Sequence, residues 1–134
     1  MIQIKPFKFF TIDELTHTNT GLSNIPDNEV IYNLSLLINN VLDPLRIKYG
    51  HSITVDSGYR SIEVNKKVGG VSTSQHLKGQ AADIVAGSIE ENEKLFNIIK
   101  ELGIYDQLIN EYNFKWVHVS YSDVHNRKQI IVIK

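Results

Sequence analysis

Two histidines and one aspartate have the residue types of a zinc site. They are His76, Asp83 and His118. Two neutral imidazoles and one carboxylate are typical zinc ligands, and three protein ligands leave the fourth tetrahedral position open for water. An open position is typical of a catalytic zinc rather than a structural one. The sequence therefore predicts one zinc ion per chain and a candidate hydrolase.

The elements that carry these residues must bring them to one point. Asp83 lies in the apolar segment 81–86 and His118 in the segment 116–121. Both segments are predicted strands, whose side chains alternate between the two faces of a sheet, while His76 lies at the end of a loop. On spacing alone, scattered polar residues remain an alternative, and a lone histidine between valines is more often a core residue. Asp83 favours the metal site, because an ionised carboxylate is rarely buried without a partner.

The hydrophobic pattern predicts an α+β fold, with a small, mostly antiparallel sheet flanked by helices. Residues 1–134 are expected to form a single domain. Pro44 is expected to end or kink the second helix. The predicted helices open at 11–14 and cover 27–43, 61–68 and 88–102, and the predicted strands cover 53–56, 81–86, 106–111, 116–121 and 129–133.

The composition excludes several classes of protein. Apolar residues make up 42% and charged residues 22%, and the net charge of -1 argues against nucleic acid or an anionic membrane as partner. With no cysteine, a metal must bind His, Asp or Glu. No segment approaches the roughly 20 apolar residues of a membrane span, and no secretory signal is evident. We expect a monomer made in the cytoplasm, with ordinary surface histidines at the remaining positions, His17, His51 and His125.

Several motifs resemble the M15 family of zinc D-alanyl-D-alanine carboxypeptidases, in the branch common among phage endolysins. The most specific are the segment 74–83, Ser-Gln-His-Leu-Lys-Gly-Gln-Ala-Ala-Asp, and the later Trp-Val-His-Val-Ser-Tyr at 116–121. The likeness spans residues 57–121 in the family's order. Its other parts are Ser-Gly-Tyr-Arg-Ser at 57–61, Asn65, Val-Gly-Gly at 68–70 and Tyr-Asp-Gln-Leu-Ile at 105–109.

The resemblance implies a hedgehog/DD-peptidase-like fold and a role for each matching residue. His76, Asp83 and His118 match the family's zinc ligands. Arg60 matches an arginine that holds or polarises the substrate, and a planar guanidinium suits that role because it can pair with both oxygens of a carboxylate. A structural salt bridge is the alternative for Arg60. Ser74 matches a serine that contacts a substrate carboxylate.

One departure from the family concerns the general base. Several relatives have a carboxylate three residues before the last histidine ligand, where this chain has Lys115, so Glu111 becomes the candidate base. A four-residue hairpin loop over 112–115 would place Glu111 opposite Trp116 and on the same sheet face as His118. An odd-numbered loop would turn Glu111 away. The alternative for Glu111 is a solvated glutamate in a turn. Trp116 is expected to line the peptide groove.

The expected substrate is the peptide stem of bacterial peptidoglycan, cleaved at the D-Ala-D-Ala terminus or at the internal L-Ala-D-Glu bond. A chain without a signal fits a phage or prophage lysis enzyme, which acts on the cell wall after its release. Two rivals remain open at this point. The first is an inactive peptidoglycan-binding module on the same fold, which Lys115 favours. The second is a phage structural protein without metal.

Overall fold

The computed structural model describes residues 2–134, which form five α-helices and five strands. The helices are α1 (Ile12–Thr16), α2 (Asn28–Leu37), α3 (Asp43–Tyr49), α4 (Ile62–Lys67) and α5 (Ile89–Leu102), with a π-helical turn at Ile38–Leu42 and a 3₁₀ turn at Gln75–Lys78. The strands are β1 (Thr54–Ser57), β2 (Ala81–Val85), β3 (Gln107–Glu111), β4 (Trp116–Ser120) and β5 (Gln129–Ile133). Within residues 2–134, none of the helices is both long and apolar enough to cross a membrane.

All five strands form one sheet in the order β1-β2-β4-β3-β5. The pairs β1–β2, β2–β4 and β4–β3 are antiparallel, and β5 lies parallel to β3. The predicted α+β fold with a mostly antiparallel sheet is therefore confirmed. The sheet order brings β2 and β4, which carry Asp83 and His118, into direct contact, and leaves β1 and β5 at the two edges.

Alternation along β2 and β4 separates a core face from a polar face. Ala82 and Ile84 of β2, with Val117 and Val119 of β4, are fully buried. They pack into one hydrophobic cluster with helix residues that include Leu34, Leu37, Leu42, Leu95 and Ile99. Helices α1, α2, α3 and α5 thus contribute to the core on one face of the sheet, and the strand side chains at the intervening positions point to the other face.

The helical segment continues past Pro44, so the expectation of an end at the proline is wrong, while the alternative, a kink, stays a prediction. The chain passes from α2 through the π-helical turn into α3 and remains helical to Tyr49. The Asp43 N–H bonds to the carbonyl of Ile38, five residues back, so the turn before the proline is wider than an α-helical turn. Pro44 then lies in the first turn of α3, where a missing N–H costs little.

Candidate active site

The three predicted zinc ligands converge on the polar face of the sheet. His118 Nδ1 lies 3.0 Å from Asp83 Oδ1, and His76 Nε2 lies 3.4 Å from Asp83 Oδ2. The two imidazole rings have centroids 5.1 Å apart. All three residues are buried, and one ligand atom from each lies within 4.8 Å of the others. Side chains that are 35 residues apart in the chain thus meet because β2 pairs with β4, with Asp83 opposite His118.

The ring of His76 is oriented by a backbone carbonyl. His76 lies in the 3₁₀ turn, where the hydroxyl of Ser74 caps the first turn by accepting the His76 N–H. Its Nδ1 lies 2.7 Å from the carbonyl oxygen of Gly58, and a carbonyl can only accept a hydrogen bond. His76 Nδ1 therefore carries the proton, and Nε2, on the side of Asp83, has a free lone pair. A histidine metal ligand is commonly fixed in this way.

The charge and donors of the site suit zinc. Burial raises the pKa of Asp83, but the contacts with His118 and His76 outweigh it and hold that pKa well below its usual range. Asp83 is therefore an anion whose side chain is only 10% exposed, and it lies beside two imidazole nitrogens. Two nitrogens and a carboxylate oxygen fit the ligand set of a catalytic zinc and leave room for a fourth, exchangeable ligand. The cleft that contains them provides that room.

Arg60 reaches this site because of a β-bulge. In the pairing of β1 with β2 the register shifts after Val55, so that Ser57, rather than Asp56, lies opposite Asp83. Arg60 Nε donates to the hydroxyl of Ser57 at 3.0 Å, and Nη2 lies 3.3 Å from Asp83 Oδ2. The third anchor is Asn65, whose Oδ1 accepts from Nη1 at 3.2 Å. Arg60 thus forms a salt bridge with Asp83 and also lines the cleft. Its position is compatible with both predicted roles, the structural salt bridge and substrate binding.

A cleft of about 490 Å³ opens over the three ligands. Every predicted site residue lines it. The lining on the ligand side comprises Arg60, Ser74, His76, Asp83 and His118, and the far side includes Gln107, Ile109, Glu111, Trp116 and Arg127. The structure therefore brings together the residues that the sequence predicted. The remaining histidines at 17, 51 and 125 are exposed, as expected.

Glu111 has the position that an even-numbered hairpin loop predicts. Glu111 pairs with Trp116, and Ile109 pairs with His118, so Glu111 shares a sheet face with His118. The indole Nε1 of Trp116 donates to Glu111 Oε2 at 2.8 Å. Lys115, by contrast, is exposed in the loop and does not line the cleft. The lysine charge therefore does not enter the cleft.

The hairpin loop that sets this register has an unusual backbone. Tyr112, Asn113 and Phe114 have φ angles of 53°, 55° and 60°, in the left-handed region that disfavours side chains. Hydrogen bonds offset the strain: the Phe114 N–H donates to Asn110 Oδ1 at 2.6 Å, and Asn92 Nδ2 donates to the Phe114 carbonyl at 2.9 Å. The loop is therefore held in one conformation, and with it the face on which Glu111 lies.

Sequence reasoning missed the groups that position the site. Gly58 lies in the family motif at 57–61, but its role could not be predicted because its backbone carbonyl, and not a side chain, contacts His76. Asn65 was noticed only within the family motif. Asp106 also belongs to a family motif, at 105–109, and its carboxylate accepts hydrogen bonds from Gln75, the residue before His76, and from Arg127 at the far side of the cleft.

An α+β domain with three clustered nitrogen and carboxylate donors in an open cleft is typical of a metal-dependent hydrolase. The comparison with protein families is specific: residues 8–120 match Peptidase M15, and the chain belongs to this family. One curated relative is the "Zinc D-Ala-D-Ala carboxypeptidase" of Streptomyces albus G, 56% identical over 36 residues. That match covers 27% of this chain and 14% of the relative's length.

Proposed function

We propose that the protein is a zinc-dependent peptidase that hydrolyses the peptide stem of bacterial peptidoglycan. The observation that carries the proposal is the meeting of His76, Asp83 and His118 in an open cleft, in a chain of the M15 peptidase family. The activity named for the Streptomyces relative supports zinc as the metal and peptidoglycan peptides as the substrate class. Residues 1–134 would form a single zinc peptidase domain.

The three ligands would hold one zinc ion, which supplies Lewis-acid activation of water and of the scissile carbonyl. Glu111 would act as the general base and then as the acid. Its Oε2 is engaged by Trp116, so Oε1 takes the proton from the attacking water and later delivers it to the leaving amine. Diagonal neighbours across a hairpin lie roughly 7–8 Å apart, a gap that a water and a glutamate side chain can bridge to the His118 side of the site.

Arg60, Ser74 and Trp116 would bind the substrate. Arg60 uses three of its donors on Ser57, Asn65 and Asp83, and its other N–H groups are left to stabilise negative charge that develops on the substrate. The Ser74 hydroxyl accepts the His76 N–H and can still donate its own proton to a substrate carboxylate. The Trp116 ring forms part of the cleft wall, and its N–H orients the base.

The finer assignment is that of a phage or prophage lysis enzyme, with either the D-Ala-D-Ala or the L-Ala-D-Glu bond as target. The test is digestion of purified peptidoglycan by the zinc-loaded protein, with mass spectrometry of the fragments. Loss of a single alanine identifies a carboxypeptidase, and release of whole stem peptides identifies an endopeptidase. Fragments unchanged by the protein, at full zinc occupancy, would contradict the proposal.

The role of Glu111 is tested with Glu111→Gln, which keeps the size and removes the base. General acid–base catalysis contributes about 10²- to 10⁴-fold, and a loss of that size is expected with bound zinc unchanged. Glu93→Gln, at an exposed position on α5, is the matched control and should hydrolyse like the parent. If Glu111→Gln is as fast as the parent, another group is the base.

The second candidate is a binding module without catalysis, which Lys115 at the usual acidic position favours. Glu111 within the cleft and Lys115 outside it argue for the enzyme. The two functions separate in one experiment, because a binding module sediments with peptidoglycan and releases neither alanine nor peptide, whereas a peptidase releases one or the other.

A further inference from the structure

A second arginine lies in the cleft, anchored to a buried carboxylate. Arg127 Nε donates to Asp106 Oδ1 at 2.9 Å, and Arg127 Nη2 donates to Asp106 Oδ2 at 2.8 Å. The Asp106 side chain is 4% exposed, whereas that of Arg127 is 51% exposed. The pair is thus half inside the protein and half in the cleft, with the guanidinium on the open side.

The carboxylate of Asp106 is fully engaged, which fixes the guanidinium in one orientation. Oδ1 also accepts the backbone N–H of Arg127, and Oδ2 also accepts Gln75 Nε2, each at 2.9 Å. This hydrogen bond to Asp106 sets the orientation of the Gln75 amide. Its Oε1 has no hydrogen-bond partner and is the one such buried side-chain atom among residues 2–134. An unpaired buried acceptor destabilises the fold, and here it accompanies the hydrogen bond from Gln75 Nε2 to the Asp106 carboxylate.

Arg127 retains donors that the protein does not use. A guanidinium has five N–H groups, and Asp106 takes one from Nε and one from Nη2. Three remain, on the half-exposed edge of a side chain that cannot rotate freely. A fixed planar edge of this kind binds a carboxylate well, because less entropy is lost for each hydrogen bond formed.

The two arginines lie on opposite sides of the metal ligands. Arg60 follows the edge strand β1, and Arg127 precedes the other edge strand, β5, with β2, β4 and β3 between them. Asp106 directly precedes β3, and its N–H bonds to the carbonyl of Ser120, two residues beyond His118 on β4. From strand spacing and rise, the Arg127 end of the cleft is on the order of 10 Å from the ligands. An extended peptide covers that distance in about three residues.

We propose that Arg127 binds a carboxylate of the substrate about three residues from the scissile bond, and so selects an acidic peptide over its amidated form. The proposal rests on the peptidase function proposed above and adds a specificity residue to it. Asp106 is then a positioning residue, which acts through Arg127 and does not touch the substrate.

The test uses pairs of synthetic stem peptides that carry either a carboxylate or a carboxamide two to four residues from the scissile bond. We expect the zinc-loaded parent to prefer one acidic peptide by about 10- to 100-fold in kcat/KM, the usual effect of a charge-assisted hydrogen bond. Most of it should lie in KM. Arg127→Gln should abolish the preference by weakening only the acidic peptide. Lys128→Gln, which removes the adjacent exposed charge, should leave the preference intact.

An Arg127→Gln variant that keeps the parent's preference would overturn the proposal, as would a parent without any preference. If Arg127→Gln does not fold, Arg127→Lys replaces it: an ammonium keeps the charge but not the fork, and the preference should fall by about tenfold. If the parent hydrolyses none of the peptides, the peptidase function fails instead. Calorimetric binding of the same pairs to parent and variant then still decides whether Arg127 binds the carboxylate.

Discussion

Trp116 and Glu111 face each other across the β3–β4 hairpin, and the indole N–H of Trp116 donates to Glu111 Oε2 at 2.8 Å. The hydrogen bond occupies one carboxylate oxygen of Glu111 and fixes the orientation of the other. A general base is effective only when its lone pair is aligned with the proton that it accepts. With Glu111 as the proposed base, the tryptophan is a positioning residue for it as well as part of the cleft wall.

Trp116→Phe should lower kcat by about tenfold while KM changes little, because the ring stays and the orienting N–H is lost. The measurement is steady-state hydrolysis of a stem peptide by the zinc-loaded variant. Tyr112→Phe is the control. The Tyr112 and Trp116 ring centroids lie 5.4 Å apart, and this substitution removes only a hydroxyl group and keeps the Trp116–Glu111 hydrogen bond. An unchanged kcat in Trp116→Phe would show that the indole N–H does not orient the base.

Asp83→Asn should reduce bound zinc to less than about a tenth of an equivalent, because it replaces the only anionic ligand by a neutral amide of the same size. Metal analysis after dialysis against dilute zinc measures this. Asp56→Asn removes a carboxylate in the adjoining bulge and should retain a full equivalent. Zinc bound by Asp83→Asn as tightly as by the parent would remove Asp83 from the ligand set.

The ion pair between buried Asp106 and half-exposed Arg127 predicts a loss of stability in acid. The bonds from Arg127, together with that from Gln75, outweigh burial and lower the pKa of Asp106 from 3.8 to about 2. A carboxylate whose pKa is lowered on folding stabilises the native state above its unfolded pKa, and the stabilisation is lost as the pH falls through the folded pKa. For Asp106, the loss should occur between about pH 4 and pH 2.

The measurement is the difference in unfolding free energy between the parent and Asp106→Asn, from urea denaturation at several pH values. The difference should be largest above pH 4 and shrink toward pH 2. Other carboxylates titrate in both proteins and cancel in this comparison. A difference that stays constant over the range would mean that Asp106 is not the ionised partner of Arg127.

Gly58→Ala should destabilise the fold by about 2 kcal/mol or more, because an added methyl group would collide with the backbone of Leu15. The Tyr59 N–H donates to the same Leu15 carbonyl, so the two segments cannot simply separate. Any relief shifts the Gly58 carbonyl that orients His76, and zinc affinity should fall as well. Thermal unfolding with and without zinc checks both effects, and a variant with the parent's stability and affinity would refute them.

The sequence predicted the ligand face because alternation in a strand is a local rule. The apolar residues on either side of Asp83 and His118 identify the core side, and the two polar side chains must then share the other face. The position of Glu111 was predicted only for an even-numbered loop, and the pairing of Glu111 with Trp116 meets that condition. Local patterns thus sufficed for the parts of the site that lie on β2, β3 and β4.

The parts that escaped prediction depend on long-range pairing. The strand β5 was expected, but nothing local indicates that it lies parallel to β3 and delivers Arg127 to Asp106, 21 residues away. The bulge at Asp56 replaces that residue by Ser57 opposite Asp83, a shift that regular alternation does not predict. The π-helical turn before Pro44 likewise absorbs a proline that propensity alone would treat as a helix end.

The pairing of β2 with β4 also has a kinetic consequence. The two strands are separated by α5 and β3, so a long loop must close before Asp83 meets His118. An ion that needs both residues can bind only after β2 and β4 have paired, late in folding. It should therefore slow unfolding far more than it speeds refolding. Survival of the protein among proteases would then depend on the free zinc of its surroundings.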